Sequence, residues 1–223
     1  MTFSLTDRLQ GKRLVVFDVD GTLYDQSRLR RAMAIRLLSH LAVTGRLSTL
    51  RALKAYRRMR EATADAERAD FEEASIAAAA AAGGRDEAAT RRLVADWMLD
   101  RPLPLLARCR YPGVADLFAA LRARGCRIGV LSDYPAAGKL AAMGLSADLV
   151  AVAGEAGVPC QKPDPAGLVR LMTKADIDPA ETVLIGDRDD RDGEAGRRAG
   201  VDVLIRSDRP SGPNAFRTFV SPP

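Results

Sequence analysis

The chain has one histidine, three cysteines and few aromatics, which make up 5% of its residues. Each scarcity removes a class of function. Cys109, Cys126 and Cys160 are odd in number, widely spaced and free of any C-x-x-C pair. They argue for a reduced, cytoplasmic setting and read as inert, buried residues. His40 lies in an apolar helical stretch and reads as packing or surface. The net charge of +5 and pI near 9.4 invite a nucleic-acid reading, but the basic residues are not interleaved with aromatics and no nucleic-acid signature is present. No basic start followed by an apolar run marks a signal peptide. The most apolar stretch, Ile76 to Ala82, is mostly alanine and far too short for a membrane span. A soluble protein with no stable membrane insertion is expected.

What is present is an alternation. A chain of 223 residues, 47% hydrophobic, suits one α/β domain or a core domain carrying an insertion. Leu14-Val-Val-Phe17, Arg127-Ile-Gly-Val-Leu131, Asp148 to Ala153, Thr182-Val-Leu-Ile185 and Val201 to Ile205 read as strands, each running into polar or glycine-rich turns. Helical patterns at Gly113–Arg124, Ala136–Met143, Pro165–Lys174 and Gly193–Ala199 separate them. Such βαβ units predict a mainly parallel sheet, with ligands bound beyond the carboxyl ends of its strands. One region breaks the rhythm. From Arg28 to Arg108 there are only helical patterns, Leu29–Val43, Leu47–Ala62, Ala66–Ala82 and Asp86–Leu99, punctuated by Gly45, Gly83-Gly84 and Pro102-Leu-Pro104. The expectation is a core of residues 1–25 and 109–223 with a smaller all-helical domain, 26–108, inserted after the first strand.

The first strand runs into Asp18-Val-Asp20-Gly21-Thr22. Two like charges at ~4 Å repel by about 4 kcal/mol at an effective dielectric near 20, so the pair needs a cation or a proton. Alone, it could be a turn with a helix cap. Three other strand-end groups change that: Ser132, Lys162 in Lys-Pro-Asp-Pro, and Asp187 with Asp192 in Gly-Asp-Arg-Asp-Asp-Arg-Asp. Several carboxylates, one hydroxyl and one ammonium at one sheet edge suit Mg²⁺, which favours a few carboxylates plus phosphate oxygens. That points to phosphoryl transfer, where positioning and charge neutralisation dominate. Asp189 and Asp190 read as a solvated loop, with Asp190 a candidate cap for the next helix. Trp97 and Met98 read as core of the inserted helices.

These motifs, in this order and over nearly the whole chain, resemble the haloacid dehalogenase superfamily in its phosphatase branch, of phosphoglycolate phosphatase-like type. The resemblance implies a Rossmann-like core with a helical cap where the insertion lies. It implies Asp18 as nucleophile, forming an aspartyl-phosphate, and Asp20 as general acid and base, for which a raised pKa would help. Gly21 and Thr22 would shape the turn, with backbone N–H groups toward phosphate. Ser132, and Asp133 beside it, would lie against the phosphate, with Ser132 donating to it. Lys162 would hold Asp18 and the phosphate together. Asp18, the Asp20 carbonyl and Asp187 would bind Mg²⁺, supported by Asp192. The substrate implied is a small phosphorylated metabolite. Two departures are visible: Asp133 stands where asparagine is common, and Arg191 where asparagine or threonine is.

Competing readings share some of these residues. A dehalogenase would lack Asp20. A phosphomutase of the same superfamily keeps both acids. A receiver-type signalling domain or a silent phosphate-binding module keeps the pocket without continuous phosphate release. Ten Lys or Arg and no Asp or Glu fall between Arg28 and Arg60. Arg28, Arg30, Arg31, Arg36, Arg51, Lys54, Arg57 and Arg58 are expected either as solvated faces or as a basic surface toward an anionic substrate or, weakly, an acidic lipid surface.

Overall fold

Along the first strand Leu14 and Val16 face one side, Val15 and Phe17 the other, and all four are fully buried. A strand buried on both faces needs a layer of helices on each, and that requirement organises the molecule. In the computed structural model, which describes residues 9–206, five parallel strands run in the order β3-β2-β1-β4-β5. They are β1 (Leu14–Phe17), β2 (Arg127–Ser132), β3 (Leu149–Val152), β4 (Thr182–Gly186) and β5 (Asp202–Ile205). β1 lies in the middle, with Phe17 level with Val130 of β2 and Ile185 of β4. Asp18, Ser132 and Asp187 therefore emerge together at one sheet edge.

The layer over Val15 and Phe17 includes Leu117, Phe118 and Leu121 of one helix and Leu140 and Met143 at the end of another. Leu168, Leu171 and Met172 cover Leu14 and Val16.

Between β1 and β2 the chain is helical. The inserted helices are α1 (Gln26–Thr44), α2 (Leu47–Asp65), α3 (Phe71–Gly83), α4 (Glu87–Val94), a π-helical turn (Ala95–Asp100) and α5 (Leu103–Cys109). Asp25 caps α1 by accepting the Arg28 N–H at 2.9 Å. The chain leaves and returns at one point: the Asp25 N–H donates to the Cys109 carbonyl at 2.9 Å, and the Tyr111 N–H to that of Leu23 at 3.1 Å. Within the insertion Ala52, Tyr56, Ile76, Ala79 and Val94 form a small core of their own. The remaining helices are α6 (Val114–Ala123), α7 (Ala137–Ala142), α8 (Ala166–Ala175) and α9 (Glu194–Ala199). A second π-helical turn, Asp189–Gly193, precedes α9.

Three expectations differ from the fold. Pro102 and Pro104 read as breakers, yet α5 begins between them. Proline is tolerated in a helix's first turn, where its missing N–H has no partner to lose. Helix α3 begins at Phe71 rather than Ala66, because Glu67 takes a positive φ of 50° and ends the previous helix's run. Cys126 is half-buried, unlike Cys109 and Cys160. No described helix is long and apolar enough to cross a membrane.

Candidate active site

The acids that follow β1 each have their own lysine. Lys162, buried, donates to Asp18 Oδ1 at 2.5 Å and to Asp192 Oδ1 at 2.6 Å. Lys139, on α7, spans both oxygens of Asp20 at 2.6 and 2.5 Å, and the Tyr24 hydroxyl donates to the same carboxylate. Asp18 Oδ2 is buried with no partner among the described residues. Two carboxylates from one strand end are thus tolerated in different ways.

Their proton affinities separate accordingly. Burial pushes the Asp18 carboxyl well up, against the pull of Lys162, with Asp192 and Asp187 adding repulsion. For Asp20 burial also pushes upward, but Lys139 and Tyr24 outweigh it and hold the carboxyl below its ordinary value. A raised pKa would help Asp20 as an acid, and the two partners that the structure supplies, neither visible in the sequence, act the other way. Lys162 is held well above its usual range: burial works against it, and Asp18, Asp192 and Asp133 together outweigh that.

Carboxylate oxygens of Asp18, Asp187 and Asp192 lie within 4.8 Å of one another. Burial and the neighbouring Asp192 raise Asp187 to about 6. Crowded, partly desolvated carboxylates of this kind fit a hard divalent cation. Asp192 also receives the N–H groups of Asp187 and Arg188 through Oδ2, at 3.2 and 3.1 Å, which turns the loop after β4 around it. Gly186 allows that turn, because a Cβ there would overlap the Asp192 side chain.

Gly21 has φ +101°, and a Cβ on it would overlap the Asp187 carboxylate. Gly21→Ala should therefore displace Asp187 and weaken divalent-cation binding at least tenfold. Titration of Mg²⁺ into both proteins by calorimetry checks this.

The structure gathers Asp18, Asp20, Asp133, Lys162, Asp187 and Asp192 around one cavity of about 480 Å³. Gly21, Thr22 and Ser132 are not among its lining residues. Ser132 is fully buried and its Oγ accepts the Tyr134 N–H at 3.3 Å; Thr22 Oγ1 is buried without a partner. Asp133, raised by burial, accepts the Lys162 N–H at 2.9 Å through Oδ1, so the acid at this departure fixes the lysine's backbone. Asp190 does not cap α9. Its carboxylate pairs instead with Arg188, at 2.7 Å. Arg191 is buried and paired to Asp65 and Glu61 of α2.

Of the basic residues between Arg28 and Arg58, only Arg30, Arg57 and Arg58 line the cavity, and Arg36 donates to the Arg101 carbonyl at 2.8 Å. Residues the sequence did not single out complete the site. Arg60 of α2 is buried, with Tyr56, Phe71 and Tyr134 rings 5.7, 4.7 and 4.2 Å away, and it donates to the Asp133 carbonyl and to Glu72. It ties the inserted helices to the loop after β2. Lys139 left one signal: a lone lysine among Ala, Gly and Leu just past a strand's carboxyl end. His40 stacks edge-on against Trp97, with centroids 5.2 Å apart.

A model of the haloacid dehalogenase-like hydrolase family matches residues 12–200. Phosphoglycolate phosphatase of Rhodospirillum rubrum is 32% identical over 126 residues, covering 55% of this chain and 52% of that protein. The Pseudomonas putida protein of the same name is 29% identical over 200 residues, 86% of this chain and 68% of that one. The chain thus spans about half the length of the first of these relatives. Among solved structures, a 2-haloacid dehalogenase from Pseudomonas syringae superposes with a TM-score of 0.64 at 20% identity, covering 92% of this chain and 96% of that one. At that identity the likeness is one of fold.

Proposed function

Since the chain belongs to the haloacid dehalogenase-like hydrolase family, we propose that it is a Mg²⁺-dependent phosphatase acting on a phosphomonoester of a small metabolite through an aspartyl-phosphate on Asp18. The observation that carries this reading is the Asp18 carboxylate: one oxygen is held by Lys162, and the other is buried without a partner among the described residues. A carboxylate so oriented and so desolvated is a stronger nucleophile than a solvated one.

Asp18, Asp187 and the Asp20 carbonyl would hold the metal, with Asp192 supporting through Lys162. Bound there, Mg²⁺ would neutralise phosphate charge. The rest falls to the chain's own groups. Asp18 attacks phosphorus; the bond to the leaving oxygen breaks as that oxygen takes a proton from Asp20. Asp20, now ionised, takes a proton from water, whose oxygen bonds to phosphorus and releases Asp18. Lys139 and Tyr24 stabilise the ionised Asp20 of the second step. An incoming phosphate competes for Lys139 and so loosens its grip on Asp20 in the first. Lys162 keeps Asp18 aligned throughout. Residues 26–108 serve as a cap over the site, consistent with Arg30, Arg57, Arg58, Trp97 and Met98 lining the cavity.

The presence of Asp20 separates this reading from halide displacement, which needs no proton for its leaving group. Phosphoglycolate phosphatase names among the relatives make phosphoglycolate the first substrate to assay. The test is a Mg²⁺-supplemented panel of phosphorylated metabolites and an aryl phosphate. Continuous phosphate release supports a hydrolase; a single stoichiometric label with no release would indicate a receiver-type module.

A pH dependence follows from Asp187. With its carboxyl raised to about 6 in the metal-free protein, a proton occupies it below that pH and Mg²⁺ must displace that proton. Apparent Mg²⁺ affinity should therefore fall as pH drops through about 6, by up to about tenfold per pH unit for each proton released. Calorimetric titrations on either side of that value measure it.

A further inference from the structure

Two walls of the cavity above Asp18 are not used by the chemistry at phosphorus. One is apolar: Leu29 and Met33 of α1, Trp97 and Met98 of the first π-helical turn, and Leu106 of α5. π-Helical turns recur at functional sites, and this one places three consecutive residues, 97–99, on the cavity. Trp97 is buried and braced by His40 and by Arg101, whose guanidinium lies 4.2 Å from the ring centroid. The apolar wall is thus a built surface.

The other wall is cationic. Most arginines around the site already have acids: Arg60 has Glu72, Arg101 has Asp96, and Arg188 and Arg191 have Glu61. Arg30, Arg57 and Arg58 have no carboxylate partner among the described residues, and all three line the cavity. Arg30 and Arg57 are both exposed residues; desolvation lowers the Arg57 guanidinium against the opposing Tyr134, and the Arg30 charge adds a smaller push the same way. Two exposed guanidinium groups on one cavity wall with no carboxylate of the described residues between them offer a place for an anion.

Size points the same way. A volume near 480 Å³ lies within the range of pockets that enclose ring-containing ligands. A phosphoryl group on a two-carbon acid would leave most of it to solvent.

We propose that the site takes a phosphomonoester whose leaving group has an apolar body of ring size or larger, seated on the Met33–Trp97–Met98 wall, and carries a second anionic group held by Arg30 and Arg57. This rests on the phosphatase reading and narrows its substrate class. The shared chemistry is an anion, which a carboxylate or a second phosphate can supply.

The experiment uses the full chain with Mg²⁺ and five probes: phosphoglycolate, phenyl phosphate, 4-carboxyphenyl phosphate, its neutral 4-carbamoyl analogue, and 1,4-phenylene bisphosphate. The expected result is a kcat/KM on the order of tenfold higher for an anionic aryl probe than for the carbamoyl probe, with all aryl probes above phosphoglycolate. Whichever of the carboxyl and phosphoryl probes is faster identifies the anion. Arg57→Gln and Arg30→Gln should each shrink the carboxyl-to-carbamoyl ratio toward one, chiefly through KM. Using that ratio cancels differences in leaving-group reactivity. Equal rates for charged and neutral probes in the parent protein, or a ratio untouched by both substitutions, would overturn the proposal, as would a preference for phosphoglycolate over every aryl probe; in each case the phosphatase reading stands. No phosphate release from any of the five would overturn that reading as well.

Discussion

Asp18→Asn should lower kcat by roughly 10⁴-fold or more while the protein remains folded. The amide is nearly the same shape but is not a nucleophile and cannot share a negative charge with a cation. The fold should tolerate it. Burial already disfavours the Asp18 carboxylate, so removing the charge removes a desolvation cost, and Lys162 keeps Asp192 as partner at 2.6 Å. Phosphate release from an aryl phosphate, read beside a thermal melt, checks both halves. Retained turnover in a folded Asp18→Asn protein would mean that another group attacks.

Lys162→Met should have the second largest effect, and on stability as well as activity. Among the described residues Lys162 is the one ammonium between Asp18 and Asp192, and all three side chains are at most 7% exposed. Taking away one partner leaves two carboxylates facing each other in a desolvated place, a change that costs about 3–5 kcal/mol when a buried pair is broken. The carboxylates would then protonate or recruit another cation. Added Mg²⁺ should therefore raise the melting temperature of the variant more than that of the parent. Turnover should not return with stability, because the ammonium also aligns Asp18. A variant melting within a degree of the parent without Mg²⁺ would contradict this account of the triad.

The parts legible in the sequence are those where local pattern and global demand agree. Four buried apolar residues ending in Asp18-x-Asp20 predict a central strand delivering acids to its carboxyl end, and β1 does so. Asp18, Lys162, Asp187 and Asp192 meet as their strand-end positions imply. The misses are tertiary. Lys139 reaches Asp20 across 119 residues of chain, and nothing local announces that partner. Its presence, with Tyr24, holds the Asp20 carboxyl below its ordinary value against the effect of burial. Ser132 ends β2, and its Oγ accepts a backbone N–H of its own loop while keeping its own proton to donate. The basic stretch from Arg28 to Arg60 is a similar case. Helical geometry splits it, sending Arg30, Arg57 and Arg58 to the cavity and Arg60 into a ring of aromatics from α2, α3 and the loop after β2.

The inserted helices show how propensity and packing divide the work. Helix α3 is almost wholly alanine along its second half, which favours helix but offers little to bury. Ile76 and Ala79 nevertheless pack against Ala52 and Tyr56 of α2, and Arg60 anchors the pair to the loop after β2 through the Asp133 carbonyl. The helices also meet the sheet domain through apolar side chains: Leu29, Met33, Leu53, Trp97 and Leu106 share one buried cluster with Val15 and Phe17.

The central claim is that Asp18 carries the phosphoryl group. The direct measurement is acid quenching during turnover of a ³²P-labelled phosphomonoester with Mg²⁺, followed by proteolysis and mass mapping of the labelled peptide. The account predicts a hydroxylamine-sensitive acyl phosphate on the peptide containing Asp18, formed and lost at rates that match phosphate release. Turnover without that label, or a label on any other residue, would contradict it.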